Sequence, residues 1–89
     1  MIQGTTTLFH ADYISSAAEL MATVIQVRKY FDHFNLPQPP LPENLADFVN
    51  CELLITETRH TDGKRTGQIR FIRANRDVCY EQEWTISPG

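Results

Sequence analysis

Three histidines, two cysteines and one close pair of glutamates are the residues of this chain whose types could do chemistry. A transition-metal site needs His, Cys, Asp or Glu side chains converging at ligand spacing. His10, His33, His60, Cys51 and Cys79 stand singly, with no CxxC and no HxxxH, so neither a metal nor a cofactor is expected. A Cys–His nucleophile pair needs a thiol open to its base, and the strand register argued below turns Cys51 inward, where a thiol is inert. Glu81 and Glu83 lie on one side of a strand, the arrangement of a carboxylate acid/base pair, but arginines surround them and solvated ion pairs are expected there instead. No glycine spacing forms a phosphate-cradling loop. The chain is expected to be non-catalytic, with a small enzyme whose site is invisible in sequence as an alternative.

The sharpest positive feature is charge placement. Residues 1–58 carry two Lys/Arg against seven Asp/Glu, residues 59–76 six against one, and residues 77–89 none against three. A basic segment is thus embedded in an acidic chain, and such asymmetry bears on partners more than on fold. Arg59, Lys64 and Arg65 crowd a turn, Arg70 follows on the next strand, and Leu54 and Ile72 make a small apolar spot beside them. These six are the expected partner-binding residues. The leading expectation is a regulatory or adaptor-type module that works by protein–protein contact, such as an antitoxin, an immunity partner or an inhibitor from a phage or other mobile element. Nucleic acid along the basic hairpin is the alternative partner. The acidic outer side of the helices is a second candidate surface, and a homodimer through an unpaired sheet edge is a further possibility.

The elements that must position these residues follow from periodicity. Leu20, Val24, Val27, Phe31 and Phe34 recur at steps of four and three, one side of a 3.6-residue helix. Met21 and Ile25 are expected to widen that stripe. Ser16 with Glu19 fits a capping box, Asp12 is a competing cap, and Pro37 stops the helix, giving a span over residues 17–34 of roughly 27 Å. Residues 36–42 hold four of the five prolines. They formally contain PxxP, and are read as a stiff connector aiming a second short helix over residues 43–50, with Pro42 in its first turn. Residues 5–10 read as a short strand, free to join either edge of the sheet.

Residues 51–60 and 66–74 are strands joined at Asp62-Gly63. A three-residue loop, residues 61–63, pairs Ile55 with Ile69 and Leu53 with Phe71, so that Cys51, Leu53, Ile55, Ile69 and Phe71 share a face. A two-residue turn would mix apolar with charged side chains, because a slip of one inverts every residue. After a turn at Asn75-Arg76, residues 78–86 form the last strand. It sets Phe71 against Tyr80, Gly67 against Trp84 and Arg70 against Glu81. Residues 87–89 are a terminal coil. The expected fold is α+β: a long helix and a short one on one face of a three- to four-stranded antiparallel sheet, in the order β-α-α-β-β-β. That order resembles the cystatin-like arrangement, a resemblance of element order with no motif attached.

Eighty-nine residues suffice for one domain with a useful core. No apolar run reaches the length of a membrane span and the first residues do not read as a signal peptide, so a cytoplasmic location is expected. In that compartment Cys51 and Cys79 are expected as free thiols.

Overall fold

A computed structural model describes residues 2–86, and the coil expected at residues 87–89 lies outside the described residues. Strand β1 (Ile2–Ile14) leads into helix α1 (Ala17–His33), then a single 3-10 turn at Leu45–Phe48, and strands β2 (Cys51–His60), β3 (Arg65–Arg73) and β4 (Val78–Thr85). The four strands form one antiparallel sheet in the order β1-β2-β3-β4. The helix covers one face of it, the α+β solution in which each element buries its apolar side against the other.

The register is the one the hydrophobic pattern requires. Ile55 faces Ile69, Leu53 faces Phe71, and Gly63 takes the left-handed conformation (φ 89°) that closes the three-residue loop. On β3–β4, Phe71 faces Tyr80, Gly67 faces Trp84 and Arg70 faces Glu81. Leu20, Val24, Val27 and Phe31 of α1 pack on Cys51, Leu53, Ile55, Ile69 and Phe71, with none of the nine more than 4% exposed.

The helix starts and stops as local chemistry dictates. The Glu19 amide donates to Ser16 Oγ (3.1 Å), while the Glu19 carboxylate accepts from the Ser15 amide and hydroxyl, one residue before the cap amide expected. Asp12 lies within β1 and caps nothing. At the other end Asn35 is left-handed (φ 54°) and the Leu36 amide donates to the Phe31 carbonyl (2.9 Å). This is a Schellman stop with asparagine standing where glycine is usual.

Four expectations need correcting. The first strand runs from Ile2 to Ile14, well beyond residues 5–10, because β2 offers it a full-length partner and three irregularities absorb the residues that do not fit. The second helix shrinks to the one 3-10 turn; Val49 is already extended and Asn50 left-handed, so residues 43–50 cannot propagate a helix. Met21 and Ile25 do not widen the buried stripe and are each 51% exposed, since a single sheet layer covers only about a third of the helix circumference. Phe34 is the C-cap, turned out of the stripe to 55% exposure, where it packs on the Tyr30 and His33 rings.

The connector is fixed at both ends of its course. The Gln38 amide donates to the Arg28 carbonyl and to Asp32 Oδ1, Pro39 is buried, and Tyr80 donates its hydroxyl to the Pro40 carbonyl. A PxxP ligand must offer its rings to a groove, and of the two such pairs, Pro37 with Pro40 and Pro39 with Pro42, the second has Pro39 buried against this protein.

Gly67 is needed for what lies on it. A Cβ built there would stand 2.6 Å from Trp84 Cε2 and 2.7 Å from Cη2. Gly67→Ala is therefore expected to cost about 1–2 kcal/mol, because the indole must leave its seat. Trp84 is the sole tryptophan, so a red shift of the intrinsic fluorescence, together with an earlier urea midpoint, reads the displacement directly.

Candidate protein-contact face

Opposite α1 no element of the described residues covers the sheet. Strand alternation and the register align the side chains of this outer face in rows across all four strands. Thr7, Thr56, Gln68 and Glu83 form one row; His10, Leu54, Arg70 and Glu81 the next; Glu52, Ile72 and Val78 a third. Leu54 and Ile72 are half-buried by their neighbours and sit diagonally near the middle of the face. Around them two hydrogen-bonded charge pairs form. Arg70 Nε donates to Glu81 Oε2 (2.7 Å), and the His10 ring is hydrogen-bonded to the Glu52 carboxylate. The result is an apolar centre with a polar rim in which Arg70 is paired and the carboxylates are in excess.

The six residues expected to form one surface divide between two faces. Leu54, Arg70 and Ile72 are on the outer face as expected. Arg59 and Arg65 share the parity of Leu53 and Ile55 and so emerge on the helix side of the sheet, beyond the end of the core. Lys64 stands exposed at the loop that joins the two faces.

What draws Arg59 and Arg65 to that side is Glu57. It occupies the next inward position after Cys51, Leu53 and Ile55, opposite Gly67, and its side chain is only 6% exposed. Its Oε1 accepts from Arg65 Nε (2.6 Å) and from Arg59 Nε (3.2 Å). The Arg65 hydrogen bond outweighs burial and, with help from Arg59, holds the Glu57 carboxyl below its ordinary pKa; the same bond raises that of Arg65. The sequence carried a signal for this. Glu57 continues an inward series at i, i+2, i+4, and a buried glutamate demands a cation of its own.

A second grouping escaped the sequence because it depends on the register of β1. His10 Nε2, Asp12 Oδ1 and Glu52 Oε2 lie within 4.8 Å of one another at the β1–β2 margin of the outer face, with His10 to Asp12 at 3.6 Å. One imidazole and two carboxylates at that separation form a set that could hold a divalent ion. Asp12 is 93% exposed and the imidazole already has Glu52 as its partner.

The two cysteines also meet. Cys51 Sγ lies 3.6 Å from Cys79 Sγ, and both are free thiols, with Cys79 donating to the Phe71 carbonyl. The sulfurs are in contact without being bonded, since a disulfide S–S is about 2.05 Å. Burial, and then the hydrogen bond with Cys79, push the Cys51 thiol up to about 11, which keeps it protonated and inert. His33 stands at the last turn of α1 and His60 beside Thr66 Oγ1 (3.2 Å), so no histidine faces either thiol among the described contacts.

Among the described residues no helix is long and apolar enough to cross a membrane. The chain matches no protein-family model, no curated protein and no solved structure.

Proposed function

We propose that the protein is a small non-catalytic module of regulatory or adaptor type that acts by protein–protein contact through the outer sheet face. One observation carries this reading: a four-stranded sheet covered by a helix on one side and, among the described residues, by no element on the other, with Leu54 and Ile72 at its centre and polar and charged side chains around them. That is the composition of a contact patch, apolar in the middle and polar at the rim. Arg70, the one arginine of the central rows, is neutralised by Glu81. The reading has the module working in the cytoplasm, with Cys51 and Cys79 reduced.

A photo-crosslinking amino acid at position 54, used in extract of the native host, tests it. A discrete adduct is expected, abolished by excess unlabelled wild-type chain and unaffected by excess Leu54→Glu/Ile72→Glu chain. Competition by both chains alike would sink the outer face as the contact surface.

A nucleic-acid reading is favoured by one feature, a recess of about 350 Å³ at the hairpin tip lined by Gln3, Arg59, His60, Gly63, Lys64 and Arg65. Glu57 already engages two of its three cations, which leaves little charge for phosphates. Duplex and single-stranded oligonucleotides are therefore expected to show no anisotropy change at ~50 mM salt. Binding that weakens at least tenfold towards ~200 mM would reverse the order of the two readings.

A further inference from the structure

The sheet has two outer strands, and they differ in what they offer a neighbour. Strand β1 is broken by irregularities at residues 2–4, 7–9 and 11–14, which interrupt any regular row of outward backbone groups. Strand β4 pairs with β3 without a break from Tyr80 to Thr85. Its hydrogen-bonding phase is set by the Ile86 amide, which donates to the Arg65 carbonyl (2.9 Å). Antiparallel bonding alternates along a strand, so Trp84, Gln82 and Tyr80 also direct their backbone groups to β3. Glu81, Glu83 and Thr85 direct theirs away from the sheet, and all three residues are exposed.

The side chains on this edge discriminate between partners. Two-fold antiparallel pairing of β4 with a second copy, centred on residue 81, 82 or 83, sets a glutamate directly opposite a glutamate. Like charges in directly opposed positions destabilise a strand pair. A foreign strand that places Lys or Arg opposite Glu81 and Glu83 meets the opposite situation. Glu83 in particular makes no ion pair within the described residues, so its charge is available to a partner. On the helix side the same strand would lie beside Tyr80 and Trp84, which are only half-buried, and apolar residues there would finish covering them. Val78, 49% exposed and in the row of Ile72, carries the apolar centre of the outer face to this edge.

We propose that β4 is a docking edge for an extended segment of a partner protein in which basic and apolar residues alternate, added to the sheet as a fifth strand. This deepens the protein-contact reading and rests on it for the class of partner, but it uses backbone groups and glutamates in place of Leu54 and Ile72. Strand addition draws affinity from main-chain hydrogen bonds and specificity from alternate side chains, and β4 supplies both.

The probe is a short fluorescein-labelled peptide of alternating Val and Lys, titrated by anisotropy against the wild-type chain. Saturable binding is expected, weakened at least tenfold in Glu83→Lys and at least tenfold when alternate peptide amides are N-methylated. Hydrogen exchange is expected to slow at the amides of Glu81, Glu83 and Thr85 when the peptide is bound. A Val/Glu peptide is expected not to bind. The Leu54→Ser chain, altered in the outer face two strands from the edge and without added charge, is expected to bind the peptide as wild type does, which separates failure of the outer face from failure of the edge. Binding indifferent to N-methylation or to Glu83→Lys would mark simple adsorption of a cation and overturn the proposal, as would no binding at all.

Discussion

Phe31→Ala is expected to remove about 3–5 kcal/mol of stability, and Phe34→Ala less than about 1 kcal/mol. The two phenylalanines are three residues apart on one apolar spacing, and by periodicity they are equivalent. In the fold Phe31 is fully buried, edge-on to Tyr30 and 6.3 Å from the Trp84 ring centroid, whereas Phe34 is 55% exposed. Truncating Phe31 leaves a cavity between helix and sheet that rigid strands cannot close. Truncating Phe34 costs its contacts with the Tyr30 and His33 rings and little else. For a chain of this size each kcal/mol moves the melting temperature by roughly 4–8 °C. Phe31→Ala is therefore expected to melt at least ~12 °C early or to be unfolded at room temperature. Thermal and urea unfolding of both variants decides the matter, and equal losses would show that the helix continues through residue 34.

The contrast locates what sequence could and could not convey. The β2–β3 register was legible because one slip would have put Ile55 opposite Arg70, a large penalty carried by many residues at once. The β3–β4 pairing was legible for the same reason, with Gly67 opposite Trp84 as a shape constraint. Boundaries set by a single competition were not. The stop at Asn35 depends on one residue accepting a left-handed conformation, and asparagine announces that less clearly than glycine. Strand β1 was underestimated because Gly4 and Asp12 disfavour a strand locally and Asp12 falls at an irregularity, and pairing with β2 overrides those weak preferences. The candidate contact face was half legible. Leu54, Arg70 and Ile72 follow from strand parity. Arg59 and Arg65 were grouped with them by nearness in sequence, although parity and the demand of Glu57 for cations put them on the other side.

Glu57→Gln is expected to cost about 2 kcal/mol at neutral pH, the range of a hydrogen bond to a charged group in a largely buried site. Glutamine keeps the shape and one acceptor, so the loss isolates the charge. Arg65, 29% exposed in its side chain, is the principal partner, and Arg59, 66% exposed, the lesser one. The pH dependence gives the stronger test. The folded-state pKa of Glu57 is lowered, chiefly by the Arg65 hydrogen bond, so between that value and the unfolded one the unfolded chain binds more protons than the native. The stability the pair contributes is then fully present above the ordinary carboxylate value of about 4.3 and is lost as pH falls through the folded value. Urea midpoints of wild type and Glu57→Gln, measured from neutral pH downward, are expected to keep a constant gap to about pH 5, from the same reference value, and to converge below it. A gap unchanged in acid would mean that the carboxylate charge is not what binds the two arginines. They would then be free cations at the hairpin tip, the condition under which phosphate contacts become competitive with the protein-contact reading.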